Sequence, residues 1–136
     1  GLELGRLMAR DAMASRRVAS VDTAIAVPLH PSKLRQRGYN QAQVLVDGMR
    51  ELWPLRDPGR ELLRIARTRT QTKKGRLERW ANVKNAFQLT DPETLRDAHV
   101  LLVDDVVTTG ATIEACTRAL SSVPGIRFSV FTCAYA

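Results

Sequence analysis

Two adjacent carboxylates, Asp104 and Asp105, follow directly after the apolar run of residues 100–103. A buried strand gains nothing from two acids in succession, because burying a charge is costly. Ligands of parallel α/β sheets bind beyond the carboxyl ends of the strands, so we interpret both acids as ligand contacts there. Because a carboxylate accepts hydrogen bonds from hydroxyl groups, the pair suits the vicinal diol of a sugar.

A threonine-rich turn around a single glycine, Gly110, comes next. Glycine permits a tight turn and a close approach to a ligand, and free N–H groups at the start of the following helix attract an anion. The turn therefore predicts a phosphate cradle formed by Thr108, Thr109, Gly110, Ala111 and Thr112. Together with the acid pair, it predicts a ribose 5-phosphate ligand. The alternative is a strand that ends in two solvated acids before a capped helix.

Two common nucleotide-binding patterns are absent from this turn. It has neither the GxxxxGK[ST] pattern of P-loop proteins nor the GxGxxG pattern of dinucleotide-binding folds. The residues therefore favour a sugar phosphate over the ligands of those two classes.

The positive charge of the chain is concentrated in one segment. The formal net charge is +7, and residues 64–84 contain eight Arg or Lys against one acid. The rest of the chain is neutral. From the charge alone, the local excess favours a mobile, solvated basic loop, and a nucleic-acid contact is the alternative. Aromatic side chains that could stack on bases are few, with Tyr39 and Trp80 as the candidates.

Helical and strand patterns alternate along the chain. Apolar residues recur at helical spacing in segments 1–20, 39–52 and 110–122. Short apolar runs predict strands within residues 23–29, 62–67, 99–105 and 126–134. This alternation predicts an α/β fold with a mostly parallel sheet and helices on both faces.

The periodicity also predicts which side chains the helices bury. The first helix is expected to bury Leu4, Leu7, Met8 and Ala12. The second, for which Asn40 is a candidate N-cap, is expected to bury Ala42, Leu45, Val46, Met49 and Leu52.

Three separated motifs resemble known families. The segment VLLVDDVVTTGAT, residues 100–112, resembles the phosphoribosyl pyrophosphate (PRPP) motif of type I phosphoribosyltransferases. Residues 27–45, VPLHPSKLRQRGYNQAQVL, and residues 67–87, RTRTQTKKGRLERWANVKNAF, resemble motifs of the competence protein F (ComF) family. The resemblance covers most of the chain from Val27 onward. It implies the type I phosphoribosyltransferase fold.

The resemblance implies roles for individual residues. In the family the paired acids hold the ribose 2- and 3-hydroxyls, a role that falls to Asp104 and Asp105, and the turn 108–112 holds the 5-phosphate. The residues expected to contact pyrophosphate are Leu29, His30 and Pro31 through their backbone, followed by Lys33, Arg35 and Arg37. The flexible loop over the site is expected to contribute Arg67, Arg69, Gln71, Lys73 and Lys74. Mg²⁺ is the implied cofactor, bound near the acid pair mainly through PRPP oxygens and water.

The implied activity is transfer of phosphoribose to an unidentified nitrogen acceptor with release of pyrophosphate. One departure counts against turnover: Thr108 stands where several purine-salvage relatives carry an acid that handles a base proton, and threonine is no general base at neutral pH. The alternative is a non-catalytic module that senses PRPP or binds DNA or a helicase. ComF proteins imply a role in DNA uptake during natural competence, with a helicase and single-stranded DNA as partners. For His30 we favour a structural role over catalysis.

The length fits one domain over residues 1–136. Because the chain starts at Gly1 inside a helical pattern, we expect an upstream segment to be missing, which in ComF proteins is a zinc-binding module. Cys116 and Cys133 lack metal-ligand spacing and are expected to be small core residues in a reducing cytoplasm. No apolar run reaches about eighteen residues, so no membrane-spanning helix is expected. The oligomeric state stays open, with a homodimer as one alternative.

Overall fold

The structure, a computed structural model, describes residues 1–58, the backbone of residues 62–64, and residues 87–136. Its helices are α1 (Leu2–Met13), α2 (Pro31–Arg37), α3 (Gln41–Arg50) and α4 (Ala111–Leu120). Its strands are β1 (Thr23–Ala26), β2 (Leu62–Arg64), β3 (Phe87–Leu89), β4 (His99–Val107) and β5 (Arg127–Tyr135). Two 3₁₀ turns, Arg16–Val18 and Pro92–Leu95, complete the described elements.

Strands β1, β4 and β5 form a parallel sheet in the order β1-β4-β5. Ala26 pairs with Val103 of β4, and Val103 in turn pairs with Phe131 of β5. The first five residues of β4 are all buried, as expected for a parallel strand covered on both faces. The predicted parallel sheet with helices on both faces is therefore confirmed.

Alternate residues of β4 belong to two different cores, because successive side chains of a strand point to opposite faces. Leu101 and Val103 pack with buried residues of α1 and α3. Val100 and Leu102 pack with buried residues of α4 on the other face. The two cores hold the sheet between the helices, so the carboxyl ends of β1 and β4 keep fixed positions relative to each other.

Helices α1 and α3 pack together through glycine, and this corrects the predicted buried face of α1. A Cβ atom on Gly5 would clash with the carbonyl oxygen of Leu45, and one on Gly48 would clash with that of Leu2. Helix α1 therefore buries Gly5, Met8, Ala9 and Ala12. Leu4 and Leu7 are 44% and 55% exposed, so the prediction that they lie in the core is wrong.

Helix α3 follows its prediction more closely. The Asn40 side-chain oxygen accepts a hydrogen bond from the Ala42 N–H at 3.0 Å, which confirms the predicted N-cap. The helix buries Ala42, Leu45, Val46 and Met49 as expected. Leu52 lies beyond its last residue and is 40% exposed, so its predicted burial is wrong.

Helix α2 was not predicted, although the sequence contains its start and stop signals. Pro31 occupies the first turn, where a missing N–H costs nothing. The Nδ1 atom of His30 accepts a hydrogen bond from the Ser32 N–H at 3.2 Å. Gly38 ends the helix with a positive φ of 83°, a conformation that glycine adopts without strain. The segment is too short to show a helical apolar period.

Strands β2 and β3 form an antiparallel hairpin in which Leu62 pairs with Leu89 and Arg64 pairs with Phe87. Phe87 is buried in the core that contains α4. The hairpin brackets residues 65–86, which include most of the predicted basic loop. Among the helices in the described parts of the chain, none has the length and apolar character needed to cross a membrane.

Candidate functional site

The site lies where β1 ends beside β4. The Val27 N–H donates to the carbonyl oxygen of Val103 at 2.8 Å, directly before Asp104. Strand β4 then continues to Val107, and its pairing with β5 continues with it. Strand β4 is therefore two residues longer than predicted, and Asp104 and Asp105 lie inside it. At these two residues β4 is no longer paired with β1.

The two carboxylates belong to opposite faces of the sheet. Strand alternation puts Asp104 on the face of Val100 and Leu102, and Asp105 on that of Leu101 and Val103. An Asp104 oxygen accepts the Asp105 N–H at 3.0 Å, and an Asp105 oxygen accepts the Val106 N–H at 2.9 Å. A ligand that contacts both carboxylates must therefore lie across the edge of β4 beyond β1, not on one face.

The predicted phosphate turn and Asp104 line one depression at the carboxyl end of β4. The depression has a volume of about 40 Å³. Its lining includes every residue of the predicted cradle, together with neighbouring Val106, Val107 and Ile113; Asp105 is not part of it. The structure thus brings one of the two acids together with Thr108, Thr109, Gly110, Ala111 and Thr112.

The turn leads directly into the first residues of helix α4. Gly110 has a positive φ of 82° and precedes the first residue of α4. The Thr109 hydroxyl accepts the Ala111 N–H at 3.3 Å. The next N–H groups of α4 have no intrahelical acceptor and carry the partial positive charge of the helix dipole. The depression therefore offers backbone donors and threonine hydroxyls to an anion.

The loop after β1 leads away from Val27 through Pro28, Leu29 and His30 into α2. No residue in the described ranges accepts a hydrogen bond from the N–H of Leu29 or His30. As far as the described residues are concerned, these two backbone donors beside β4 are open to a ligand. The Nδ1 of His30 interacts with both the N–H and the hydroxyl of Ser32, the latter at 2.7 Å. His30 therefore caps α2, in line with the structural role favoured from the sequence.

The three cationic side chains of α2 lie on two different sides of the helix. Lys33 and Arg37 are four residues apart and share one face, whereas Arg35 is displaced by two residues and lies on the other side of the helix. All three are exposed, and none has an acidic partner within the described part of the chain. Their positive charge is therefore directed to two sides of α2, and their contacts with pyrophosphate stay a prediction.

The predicted flexible-loop residues Arg67, Arg69, Gln71, Lys73 and Lys74 lie outside the described residues. Their proposed contacts with pyrophosphate stay a prediction.

Cys133 adjoins the acid pair, which the sequence did not predict. Burial of the thiol raises the pKa of Cys133, and the negative charges of Asp105 and Asp104 add to this effect. Its Sγ lies 3.4 Å from the Met8 sulfur. The residue as a whole is exposed, so its predicted place in the core is wrong, whereas Cys116 is buried as predicted. The register of β5 on β4 brings Cys133 there, since Thr132 pairs with Asp104 and Ala134 pairs with Val106. The sequence pattern carries no signal for that register.

His99 has a structural place at the start of β4. Its Nδ1 lies 2.7 Å from the Ser20 hydroxyl oxygen, and its Nε2 lies 2.8 Å from that of Ser129. Burial and the positive charge of Arg127 lower the pKa of His99, while Asp22 opposes them. The His99 imidazole links β4 to β5 and to the segment before β1, at the end of the sheet away from the depression.

The donor set near the depression fits Mg²⁺ held mainly by a ligand. Carboxylate and hydroxyl oxygens are suitable ligands for this ion, which usually keeps several waters. Within residues 1–58 and 87–136, no three His, Cys, Asp or Glu side chains gather as a metal site. A magnesium ion near Asp104 would therefore take most of its ligands from phosphate oxygens and water.

Comparison with known proteins gives one family match. The family described as the phosphoribosyl transferase domain matches residues 59–131. The match covers more than half of the chain and contains both the acid pair and the phosphate turn.

Curated relatives extend the similarity towards the amino terminus. The chain is 32% identical over 115 residues to competence protein F of Haemophilus influenzae, a match covering 84% of this chain and 50% of the relative. It is 31% identical over 120 residues to the DNA utilization protein YhgH of Escherichia coli K12, covering 86% of this chain and 52% of the relative. The chain spans about half the length of the curated relatives it matches. The resemblance to competence protein F is thus confirmed.

A solved structure supports the fold. The hypoxanthine phosphoribosyl transferase of Trypanosoma cruzi superposes with a TM-score of 0.57 over 99% of this chain and 73% of that one. The two sequences are 11% identical, so the likeness extends to the fold alone. The predicted type I phosphoribosyltransferase fold is confirmed.

Proposed function

Because the chain belongs to the phosphoribosyl transferase domain family, we propose that it binds PRPP with Mg²⁺ and transfers phosphoribose to a nitrogen acceptor. The observation that carries this proposal is the depression at the end of β4, which Asp104 and the turn 108–112 line together. An acid beside an anion cradle suits a ligand that presents hydroxyl groups next to a phosphate.

The ribose 5-phosphate part of the ligand is proposed to lie between the turn and the edge of β4. The phosphate accepts hydrogen bonds from the first N–H groups of α4 and from the threonine hydroxyls. The ribose diol lies across the edge of β4, where Asp104 and Asp105 accept its hydrogen bonds from either face of the strand. The backbone N–H groups bonded to the two carboxylates orient them for this contact.

The pyrophosphate part is proposed to lie against the loop that follows β1. This loop leaves β1 beside Asp104, because Val27 is bonded to Val103. It offers the N–H groups of Leu29 and His30, and the nearby helix α2 carries Lys33 and Arg37 on one face. Charged donors bind phosphate oxygens more strongly than neutral ones do.

The reaction forms one bond and breaks one. The lone pair of the acceptor nitrogen forms a bond to C1 of the ribose, and the C1–O bond breaks with its electron pair leaving on pyrophosphate. Positive charge develops on the ribose ring, as in glycoside hydrolysis, and the Asp104 and Asp105 carboxylates stabilise it. A magnesium ion held near Asp104 and Asp105 would supply positive charge that neutralises the pyrophosphate oxygens. The acceptor nitrogen must also lose a proton to water or to a base.

A second candidate function is a PRPP-responsive module without turnover. Thr108 occupies the position at which several purine-salvage relatives carry an acid that handles a base proton, and Asp104 is the only acid among the described residues that line the depression. A protein of this kind would bind PRPP and act through a partner. The names of the relatives, competence protein F and DNA utilization protein, support a role linked to competence and the use of DNA. For such a role we propose a cytoplasmic location and a helicase or single-stranded DNA as the partner.

Two assays distinguish the candidates. The first measures the melting temperature with PRPP and Mg²⁺, and both candidates predict an increase. The second measures pyrophosphate release with a panel of purine, pyrimidine and other nitrogen acceptors. Release with one acceptor supports the transferase. Stabilisation without release for any acceptor supports the module, and absence of stabilisation contradicts both.

A further inference from the structure

The side chain of Asn40 joins two parts of the proposed pyrophosphate subsite. Its oxygen accepts the Ala42 N–H at 3.0 Å at the start of α3, and its Nδ2 donates to the carbonyl oxygen of Val27 at 3.0 Å. The N–H of Val27 is bonded to Val103 of β4. One amide group thus connects helix α3 to the residue at which the chain leaves the sheet.

The bond to Val27 fixes the direction in which the following loop starts. The Val27 carbonyl and the Pro28 nitrogen belong to one planar peptide, so holding that oxygen holds the whole plane. The loop then presents the N–H groups of Leu29 and His30, for which no acceptor exists among residues 1–58 and 87–136. Backbone donors bind an anion well only when they are held in place before it arrives.

The next residue, Gln41, makes a similar contact to a cation. Its side-chain oxygen accepts a hydrogen bond from Nη1 of Arg37, at the other end of the short turn through Gly38. Arg37 is exposed at the end of α2. An amide partner orients the guanidinium without cancelling its positive charge, whereas a carboxylate would form an ion pair and neutralise it. Arg37 therefore keeps its charge for a ligand.

We propose that the adjacent amides Asn40 and Gln41 are positioning residues of the pyrophosphate subsite. Asn40 holds the backbone of the loop after β1, and Gln41 holds the Arg37 guanidinium. Neither needs to touch the ligand. This inference rests on the proposed function, because it assumes that the loop after β1 binds pyrophosphate.

Asn40→Asp separates the two contacts of this residue. Aspartate is as good an N-cap as asparagine, so α3 keeps its cap. The new carboxylate has no hydrogen to donate and repels the Val27 carbonyl. Gln41→Glu, in turn, keeps an acceptor for Arg37 but neutralises its charge. Asp47→Asn, an exposed change on α3 where Asp47 accepts a hydrogen bond from Gln43, serves as the matched control.

The test is calorimetric titration of each variant with inorganic pyrophosphate plus Mg²⁺ and, separately, with ribose 5-phosphate. The inference predicts that Asn40→Asp and Gln41→Glu each weaken pyrophosphate binding about tenfold, the effect of losing about 1.4 kcal/mol. Both should bind ribose 5-phosphate as the wild type does, and Asp47→Asn should bind both ligands normally. The unchanged ribose 5-phosphate affinity is the readout that a merely structural role would not give.

Four results overturn the inference. Wild-type pyrophosphate affinity in both variants leaves the proposed function intact and removes the positioning role. If Asn40→Asp loses affinity for pyrophosphate and ribose 5-phosphate equally and its urea midpoint is lower, Asn40 contributes to general stability only. In that case Asn40→Ser, which also caps α3, must show the same equal loss of affinity for both ligands. If the wild type binds PRPP but not pyrophosphate, the subsite is misplaced, and if it binds neither, the proposed function fails as well.

Discussion

The backbone N–H of Val27 donates to the carbonyl oxygen of Val103 at 2.8 Å, and Asp104 is the next residue of β4. This bond ends the contact between β1 and the part of β4 that carries the acids. Strand β4 continues to Val107 and stays paired with β5 on one edge. On its opposite edge, Asp104 and Asp105 have no pairing with β1, because β1 has already ended. The loop after β1 and the turn before α4 both begin within a few residues of that edge.

The phosphate turn can be tested with two glycines of the same conformation. Gly110 has a φ of 82° and Gly38 has a φ of 83°, and at neither does an atom of the described residues, other than its own chain neighbours, lie within 4 Å of the position a Cβ would take. Alanine at either position should cost about 1–2 kcal/mol of stability through backbone strain. Only Gly110→Ala should also weaken the binding of ribose 5-phosphate, because only that turn holds the phosphate.

Urea unfolding and calorimetry of the two variants check this prediction. Similar losses of stability with a selective loss of ribose 5-phosphate binding in Gly110→Ala support the phosphate assignment. An equal affinity in Gly110→Ala and Gly38→Ala would count against it.

The packing of α1 on α3 predicts an unusual order of mutational effects. Gly5→Ala places a methyl group against the carbonyl oxygen of Leu45, so we expect a loss of about 1–3 kcal/mol despite the better helix propensity of alanine. Leu7→Ala removes a side chain that is 55% exposed, so we expect a change within about 0.5 kcal/mol. Chemical denaturation of both variants measures this. A larger effect for Leu7→Ala would show that α1 is rotated towards its leucines.

Protonation of His99 should weaken the fold in mild acid. Burial and Arg127 lower the pKa of His99 below its ordinary value of 6.5. As the pH falls below 6.5, the unfolded chain gains a proton that the folded chain does not, so the unfolding free energy decreases until the folded pKa is passed. The slope is at most about 1.4 kcal/mol per pH unit. Above the pKa that His99 has in the unfolded chain, the stabilising contribution of His99 is fully present.

His99→Gln isolates this contribution from that of the carboxylates. The stability advantage of the wild type over this variant should shrink as the pH falls below 6.5. Unfolding free energies from urea titrations at several pH values measure the difference. An advantage that stays constant over the range would rule out His99 as its source.

Local sequence patterns were enough to predict the parallel sheet, the cap of α3 and the position of the turn 108–112 at the end of β4. The apolar run before Asp104 and the glycine turn after it each depend on neighbouring residues only. The buried face of α1 could not be predicted in this way, since it depends on where the backbone of α3 lies against Gly5. The sequence did not predict that Asp104 and Asp105 lie on opposite faces of the sheet. This arises because β4 extends beyond its apolar run, so that successive side chains still alternate between the two faces at the acids.

Titration calorimetry with PRPP and Mg²⁺ tests the central claim most directly. A hydrogen bond to a charged group contributes about 1.5–3 kcal/mol, so Asp104→Asn and Asp105→Asn should each weaken PRPP binding about 10- to 100-fold. The exposed Asp47→Asn should bind PRPP as the wild type does. Wild-type affinity in both Asp104→Asn and Asp105→Asn, or no binding of PRPP by the unmodified chain, would contradict the account.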